Sequence, residues 1–116
     1  MKSIKLNIGG EEREFFFGLG FLGNLLESEN LTLQELGIKT TENPYKWTPL
    51  IMWYSLAWGY IREGKTIEVK PLDVVDWLDD LGLQSEVVKS FDNALVASLT
   101  KDVPEDKSKK KIVTKK

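Results

Sequence analysis

The sequence predicts a small α+β protein in which an N-terminal β-hairpin packs on four or five α-helices. Hydrophobic residues alternate with polar ones before and after a Gly9-Gly10 pair, which is typical of two strands joined by a tight turn. From residue 18 onward the hydrophobic spacing changes to three and four, the period of helices. A chain of 116 residues with 41% hydrophobic residues is large enough to form one domain with its own core.

The hairpin is the first predicted unit. Ile4, Leu6 and Ile8 alternate with polar residues, and Gly9-Gly10 tolerates the positive φ angles of a tight turn. Residues 11–17 form the predicted return strand, with Arg13, Phe15 and Phe17 on one face and Glu12, Glu14 and Phe16 on the other. Because a two-stranded hairpin is only marginally stable in water, we expect the helices to cover it.

Two short helices are predicted next. Residues 18–27 place Phe21, Leu22, Leu25 and Leu26 on one side, and Ser28-Glu29-Asn30 is expected to end this helix. Thr32 and Glu35 have the spacing of a capping box, which predicts the start of a brief helix. Gly37 can end that helix, so residues 38–42 are expected to form a loop.

The most apolar segment predicts the main helix. Asn43-Pro44 and Thr48-Pro49 both resemble an N-cap followed by proline, so the helix begins at one of them. It runs to about Glu63, where Gly64 is suited to the position after the helix end. A single amphipathic stripe would account for about half of its hydrophobic residues. This helix is therefore either central, with neighbours on several sides, or it carries a second apolar face for a partner.

The C-terminal third predicts a link and two helices. Residues 66–69 alternate and form either a third short strand or an extended link beside the hairpin. Pro71 opens a helix to Leu81 that Gly82 ends, and six side chains are expected to point inward: Leu72, Val74, Val75, Trp77, Leu78 and Leu81. The last helix covers about residues 85–99, with Ser85 or Gln84 as its cap. Its apolar stripe comprises Val87, Val88, Phe91, Leu95 and Leu99.

Composition excludes several kinds of chemistry. The chain has no Cys and no His, so disulfides, thiolate nucleophiles, imidazole bases and Cys/His metal sites are all excluded. An enzyme would have to use carboxylates, Lys, Tyr, Ser or Thr, which composition alone does not exclude. We expect no catalytic residue, no cofactor and no metal ion. The longest apolar run, residues 49–61, is shorter than the roughly 20 residues of a membrane-spanning helix. No leader pattern opens the chain, and a cytoplasmic protein without membrane contact is expected.

Charge divides the chain into two parts. Residues 1–100 contain nine Lys and Arg against fifteen Asp and Glu, whereas residues 101–116 contain seven Lys and three acidic residues. We predict a single domain over residues 1–100 and a disordered, Lys-rich tail over residues 101–116. A Lys-rich tail can bind nucleic acid, but the acidic body would repel the same polyanion. The tail is therefore interpreted as a solvated segment, and no nucleic-acid partner is expected.

Two motifs have both a functional and a structural interpretation. Residues 18–23 match the dinucleotide-binding pattern G-x-G-x-x-G, with Glu42 downstream, but the preceding strand belongs to a hairpin rather than to a βαβ unit. We interpret Gly18 and Gly20 as the turn from strand to helix and Gly23 as a site of close packing. Four acidic side chains of the predicted helix over residues 71–81 share one face: Asp73, Asp76, Asp79 and Asp80. We interpret this face as solvated rather than as a cation-binding site.

Aromatic residues of the main helix are the candidate binding site. Trp and Tyr are favoured anchors of protein interfaces, and only Lys46 and Arg62 lie near these aromatics, which disfavours nucleic acid. We expect whichever of them are exposed to line a partner or self-association face. The candidate partner-binding residues are Trp47, Trp53, Tyr54 and Trp58.

Several motifs together carry a resemblance to a known family. Residues 6–15 read LNIGGEEREF, and residues 17–22 read FGLGFL before a Leu-rich helix. Asn43-Pro44 opens an aromatic-rich helix, and residues 71–78 read PLDVVDWL. This order resembles the tail assembly chaperones of long-tailed bacteriophages of Gram-positive hosts, with their I-N-G-K-E-Y-E-like hairpin, F-G-x-x-F-L stretch and D-D-V-x-D-x-L helix. The resemblance covers about residues 4–99 and departs at Gly23-Asn24, where the family often has charged residues.

The resemblance implies a non-enzymatic function in virion assembly. Such chaperones coat the tape measure protein in the host cytoplasm, keep it soluble, help to recruit tail tube protein and are absent from the mature virion. Many are also made as a longer frameshifted form whose extension contacts the tube protein, and homo-oligomers are common. Two alternatives stay open at this point. One is a small cytoplasmic adaptor of unrelated origin, and the more distant one is a nucleotide-binding enzyme.

Overall fold

The computed structural model of the protein describes residues 2–102 and contains a two-stranded antiparallel sheet and five helices, which confirms the predicted α+β class. The elements are β1 (Ser3–Ile8), β2 (Glu11–Phe16), α1 (Leu19–Glu29), α2 (Leu33–Glu42), α3 (Pro44–Arg62), α4 (Pro71–Leu81) and α5 (Glu86–Asp102). Residues 65–70 are a link without strand pairing, so the third-strand alternative is wrong.

The hairpin presents its apolar face to the helices as predicted. Gly9 and Gly10 both have positive φ, which a two-residue hairpin turn requires. The register pairs Ile4 with Phe15 and Leu6 with Arg13, so these four side chains lie on one face. Phe15 is buried against Phe91 of α5, with ring centroids 5.7 Å apart in an edge-to-face arrangement. An aromatic pair of this kind adds about 0.5–1.5 kcal/mol to the gain from burial alone.

Helix α3 is the centre of the fold. It contacts β2, α1, α2 and α4, whereas α5 packs on β1. The helix begins at Pro44, the first of the two predicted starts, and Pro49 lies inside it. The hydroxyl of Ser55, fully buried in α3, donates a hydrogen bond of 2.7 Å to the carbonyl of Phe16. Of the two alternatives for this helix, the central position is therefore the observed one.

Helix α1 ends within the predicted stretch, whereas the predicted end of α2 is wrong. Helix α1 ends at Glu29, and Asn30, one of the three residues expected to end it, adopts the left-handed conformation of a C-cap. The capping box of Thr32 and Glu35 is confirmed, with both reciprocal hydrogen bonds present. Helix α2 then continues through Gly37 to Glu42, so the predicted loop over residues 38–42 is helical. Packing of α2 on α3 outweighs the weak helix propensity of one glycine.

The last two helices occupy the predicted positions. Gly82 follows α4, and the Ser85 hydroxyl accepts a hydrogen bond from the Val88 amide at the start of α5. Helix α5 continues to Asp102, two residues into the segment predicted as the tail. The rest of that tail, and with it the predicted disorder, lies outside the described residues. Within residues 2–102, no helix combines the length and the apolarity needed to cross a lipid bilayer.

Candidate functional site

Two of the four candidate aromatic residues belong to the core rather than to the surface. Trp47 is 8% exposed and Tyr54 is 7% exposed, so neither is among the exposed aromatic residues that were expected to line a partner face. The reason is the central position of α3, which has neighbours on several sides. Trp47 is further covered by Lys46, whose ammonium lies 5.1 Å from the ring centroid.

The other two candidates, Trp53 and Trp58, are partly buried. The indole N–H of Trp53 donates a 2.6 Å hydrogen bond to the carbonyl of Val69, which fixes the link before α4 against α3. Trp58 packs against Gly20 of α1, and its buried indole N–H has no partner among the described residues. These contacts are sufficient to explain both side chains as parts of the fold. Whether either binds a partner stays a prediction.

Tyr54 ties α3 to the end of α1. Its hydroxyl donates a hydrogen bond of 2.5 Å to Oε2 of Glu29. Burial, together with the hydrogen bond and the negative charge of Glu29, raises the pKa of Tyr54 to about 12. The phenol is therefore neutral at physiological pH and acts as a structural donor.

The G-x-G-x-x-G segment is a packing motif. Gly18 has a φ of 109°, which lets the chain turn from β2 into α1. Gly20 lies against Trp58, but nothing lies within 4 Å of the position where Gly23 would carry a Cβ, so the close packing expected at Gly23 occurs at Gly20 instead. The only sheet of the described residues is the antiparallel hairpin, and Glu42 is the last residue of α2. The βαβ context of a dinucleotide site is thus not formed in this part of the chain.

The acidic residues of α4 do not form a metal cluster. Asp73 accepts a 2.9 Å hydrogen bond from the Lys70 amide and so caps the helix. Asp79 and Asp80 are adjacent in sequence, but they line different grooves on opposite sides of α4. Among residues 2–102, no group of three or more acidic side chains is placed to hold a metal ion.

An apolar groove lies between the start of α3 and α4, and we call it the α3–α4 groove. It has a volume of about 230 Å³ and is lined by Tyr45, Pro49, Val75, Leu78, Asp79, Gly82 and Leu83. Tyr45 is 79% exposed, which is unusual for a large aromatic side chain beside apolar neighbours. Pro49 has no amide hydrogen, so the helix bond to the Tyr45 carbonyl is missing at this end of α3. The groove is open to solvent and lies beside the first turns of the central helix.

The outer stripe of α4 continues this apolar surface. Leu72, Val75, Asp76 and Asp79 are three and four residues apart and share one helix face. Leu72 is 64% exposed and Val75 is 37% exposed, so their predicted inward orientation is wrong, as is that of the exposed Leu81. Val74 and Leu78 are buried as predicted, and Trp77 is partly buried. The exposed face of α4 therefore combines two aliphatic side chains with two carboxylates.

A signal for this surface was present in the sequence. Six apolar residues in the eleven positions of α4 point in more directions than one neighbouring helix can cover. Tyr45 directly follows Pro44, so it lies in the first turn of α3, where a side chain is less surrounded than in the middle of a helix. Sequence alone, however, does not show which side of α4 meets α3.

No protein-family model, no curated protein and no solved structure matches the chain. The similarity of residues 4–99 to tail assembly chaperones therefore remains a resemblance carried by the motifs themselves.

Proposed function

We propose that this protein is a tail assembly chaperone that binds the tape measure protein in the host cytoplasm, helps to recruit tail tube protein and is absent from the mature virion. The function is non-enzymatic, and contact with the tube protein is assigned to a longer frameshifted form. The order of motifs over residues 4–99 supports the family. The observation that carries the binding function is the apolar surface of Tyr45, Leu72 and Val75 outside the core.

The chemistry of this surface suits an apolar helical partner. Covering a fully exposed Leu or Val side chain contributes about 1.5–3 kcal/mol, and a Tyr ring is a favoured anchor at interfaces. The α3–α4 groove runs beside α4, so aliphatic side chains on a partner helix can enter it. A chaperone needs such a surface because its partner exposes apolar side chains before assembly.

Charge on the remaining surface supports the same function. Residues 1–100 contain fifteen acidic residues against nine basic ones, so this part of the chain brings net negative charge to a complex, and such charge opposes aggregation.

Co-expression with the tape measure protein tests the proposal. The triple variant Tyr45→Ser, Leu72→Ser and Val75→Ser should lose co-purification and leave the tape measure protein in the insoluble fraction. Circular dichroism should be unchanged, because all three side chains lie outside the core. The matched control is Val96→Ser on α5, which replaces an aliphatic side chain that is 59% exposed.

Two results would contradict the proposal. One is unchanged co-purification of the triple variant, and the other is equal loss in the Val96→Ser control. A wild-type chain that fails to solubilise the tape measure protein at all would instead favour the adaptor alternative.

A further inference from the structure

The α3–α4 groove has the chemistry to accept two aliphatic side chains flanked by cations. Its walls are apolar, and Asp79 lies in its lining. Asp76 is on the same exposed stripe of α4, between Leu72 and Asp79. Lys46 is the nearest cation in sequence to Tyr45, but its ammonium lies over the ring of Trp47. A ligand that fits must therefore bring both aliphatic groups and positive charge.

The chain itself contains a segment with this composition. Residues 109–116 read KKKIVTKK, in which Ile112-Val113 is flanked by three lysines on one side and two on the other. No other part of the sequence combines adjacent aliphatic residues with five lysines. The opposite charges of this segment and of the acidic body attract each other.

The segment can reach the groove from the end of α5. Helix α5 begins three residues after Leu83, which lines the groove, and its 17 residues extend about 25 Å from that point. The ten residues 103–112 span up to about 33 Å when extended, so Ile112 can return to the start of α5. Tethering also gives the segment an effective concentration on the order of millimolar at the groove.

We propose that residues 109–116 occupy the α3–α4 groove of the same molecule in the free protein. Ile112 and Val113 cover the apolar walls, and the flanking lysines pair with Asp76 and Asp79. The inference rests on the groove and on the charges, and it does not depend on the proposed function. A partner that uses the groove must displace this segment, so the tail would limit binding to partners that compete with it.

A second copy of the chain is a less suitable occupant. In a symmetric contact through this groove, Asp76 and Asp79 of one molecule would approach the same carboxylates of the other. Like charges placed together at an interface oppose association.

Paramagnetic relaxation in the full chain tests the proposal. The chain has no cysteine, so Ser108→Cys provides a single site for a nitroxide label beside the segment. We expect the largest loss of amide signal at Val75, Asp79 and Gly82. The loss should decrease in the labelled chain that also carries Ile112→Ser and Val113→Ser, and at high salt, which screens the ion pairs.

Two neighbouring carboxylates provide a matched control. Asp79 lines the groove, whereas Asp80 lines the cleft beside the hairpin turn on the other side of α4. Asp79→Asn should reduce the signal loss at Val75, and Asp80→Asn should leave it unchanged. Equal effects of the two variants would overturn the proposal, since they indicate general attraction to an acidic body. A signal loss centred on Gly9 and Gly10, or no localised loss, would overturn it as well.

A mixed sample separates the two possible sources of the segment. Isotope-labelled chain without a nitroxide is combined with unlabelled chain that carries it. The comparison is with the sample in which one chain carries both the isotope label and the nitroxide. Equal signal loss in the two samples would assign the segment to a second copy and overturn the intramolecular arrangement. We expect the mixed sample to show no loss at the groove.

Discussion

Gly20 of α1 lies directly against the indole ring of Trp58 in α3. A methyl group on Gly20 would overlap Cζ2 of that ring, whereas the equivalent position on Gly23 faces no atom within 4 Å. The two glycines belong to one sequence motif and one helix, yet only the first is required by packing. The close approach of α1 and α3 depends on it.

This difference predicts opposite effects of the same substitution. Gly20→Ala should lower the free energy of unfolding by about 1–3 kcal/mol, because the added methyl group forces the Trp58 ring to move. Gly23→Ala should raise it by about 0.5–1 kcal/mol, since alanine is the better helix former. Urea unfolding followed by tryptophan fluorescence measures both. Destabilisation by both variants to the same extent would show that the Gly20–Trp58 contact has no special role.

Arg13 is predicted to be important for the hairpin turn. Its Nε donates a 2.9 Å hydrogen bond to the Ile8 carbonyl, and its guanidinium lies 4.2 Å from the centroid of the Trp77 ring. Arg13→Ala should therefore lower the free energy of unfolding by about 2 kcal/mol. Arg13→Lys should not restore it, because an ammonium lacks the planar, multi-donor geometry.

An exposed ion pair is the control for this prediction. Lys65 and Glu63 are 3.0 Å apart and both are exposed, so Lys65→Ala should change stability little. Thermal unfolding of the three variants at two salt concentrations compares them. Recovery of full stability in Arg13→Lys would contradict the account and indicate that positive charge alone is sufficient.

The raised pKa of Tyr54 predicts a loss of stability at alkaline pH. Its pKa in the folded chain is raised to about 12, above the ordinary value of 10.0 for a tyrosine in water. The neutral phenol is favoured by folding, so its contribution is complete below pH 10 and is lost as the pH rises from 10 to 12. Tyr54→Phe removes the titrating group and should flatten the dependence of unfolding free energy on pH in that window.

The control for the alkaline titration is Tyr45→Phe at the exposed start of α3. Tyr45→Phe should keep the wild-type pH dependence between pH 10 and 12, measured by urea unfolding at each pH. An unchanged slope in Tyr54→Phe would show that ionisation of Tyr54 is not linked to folding.

The sequence predicted the elements well where local signals determine them. Alternation and Gly9-Gly10 indicated the hairpin, the capping box of Thr32 and Glu35 indicated the start of α2, and Pro71 with Gly82 bounded α4. These features depend on neighbouring residues in the chain. Gly37 led to a wrong predicted end of α2, because the packing of α2 on α3 is not a local property.

The exposure of the candidate residues was harder to predict than the fold. The sequence left open which aromatic residues of α3 are exposed, and the central position of this helix buries Trp47 and Tyr54. Leu72 and Val75 were expected inside but are exposed, whereas Val74 and Leu78 are buried in the core. Which of several apolar faces is covered depends on how whole helices pack, and hydrophobic periodicity does not contain that information.

Site-specific photo-crosslinking tests the binding account most directly. A photoreactive benzoylphenylalanine at Tyr45, in the α3–α4 groove, should form an adduct with co-expressed tape measure protein. The same residue placed at Val96, which is also exposed but lies on α5, should form none. No adduct at position 45, or equal yields at both positions, would contradict the assignment of the groove as the partner-binding surface.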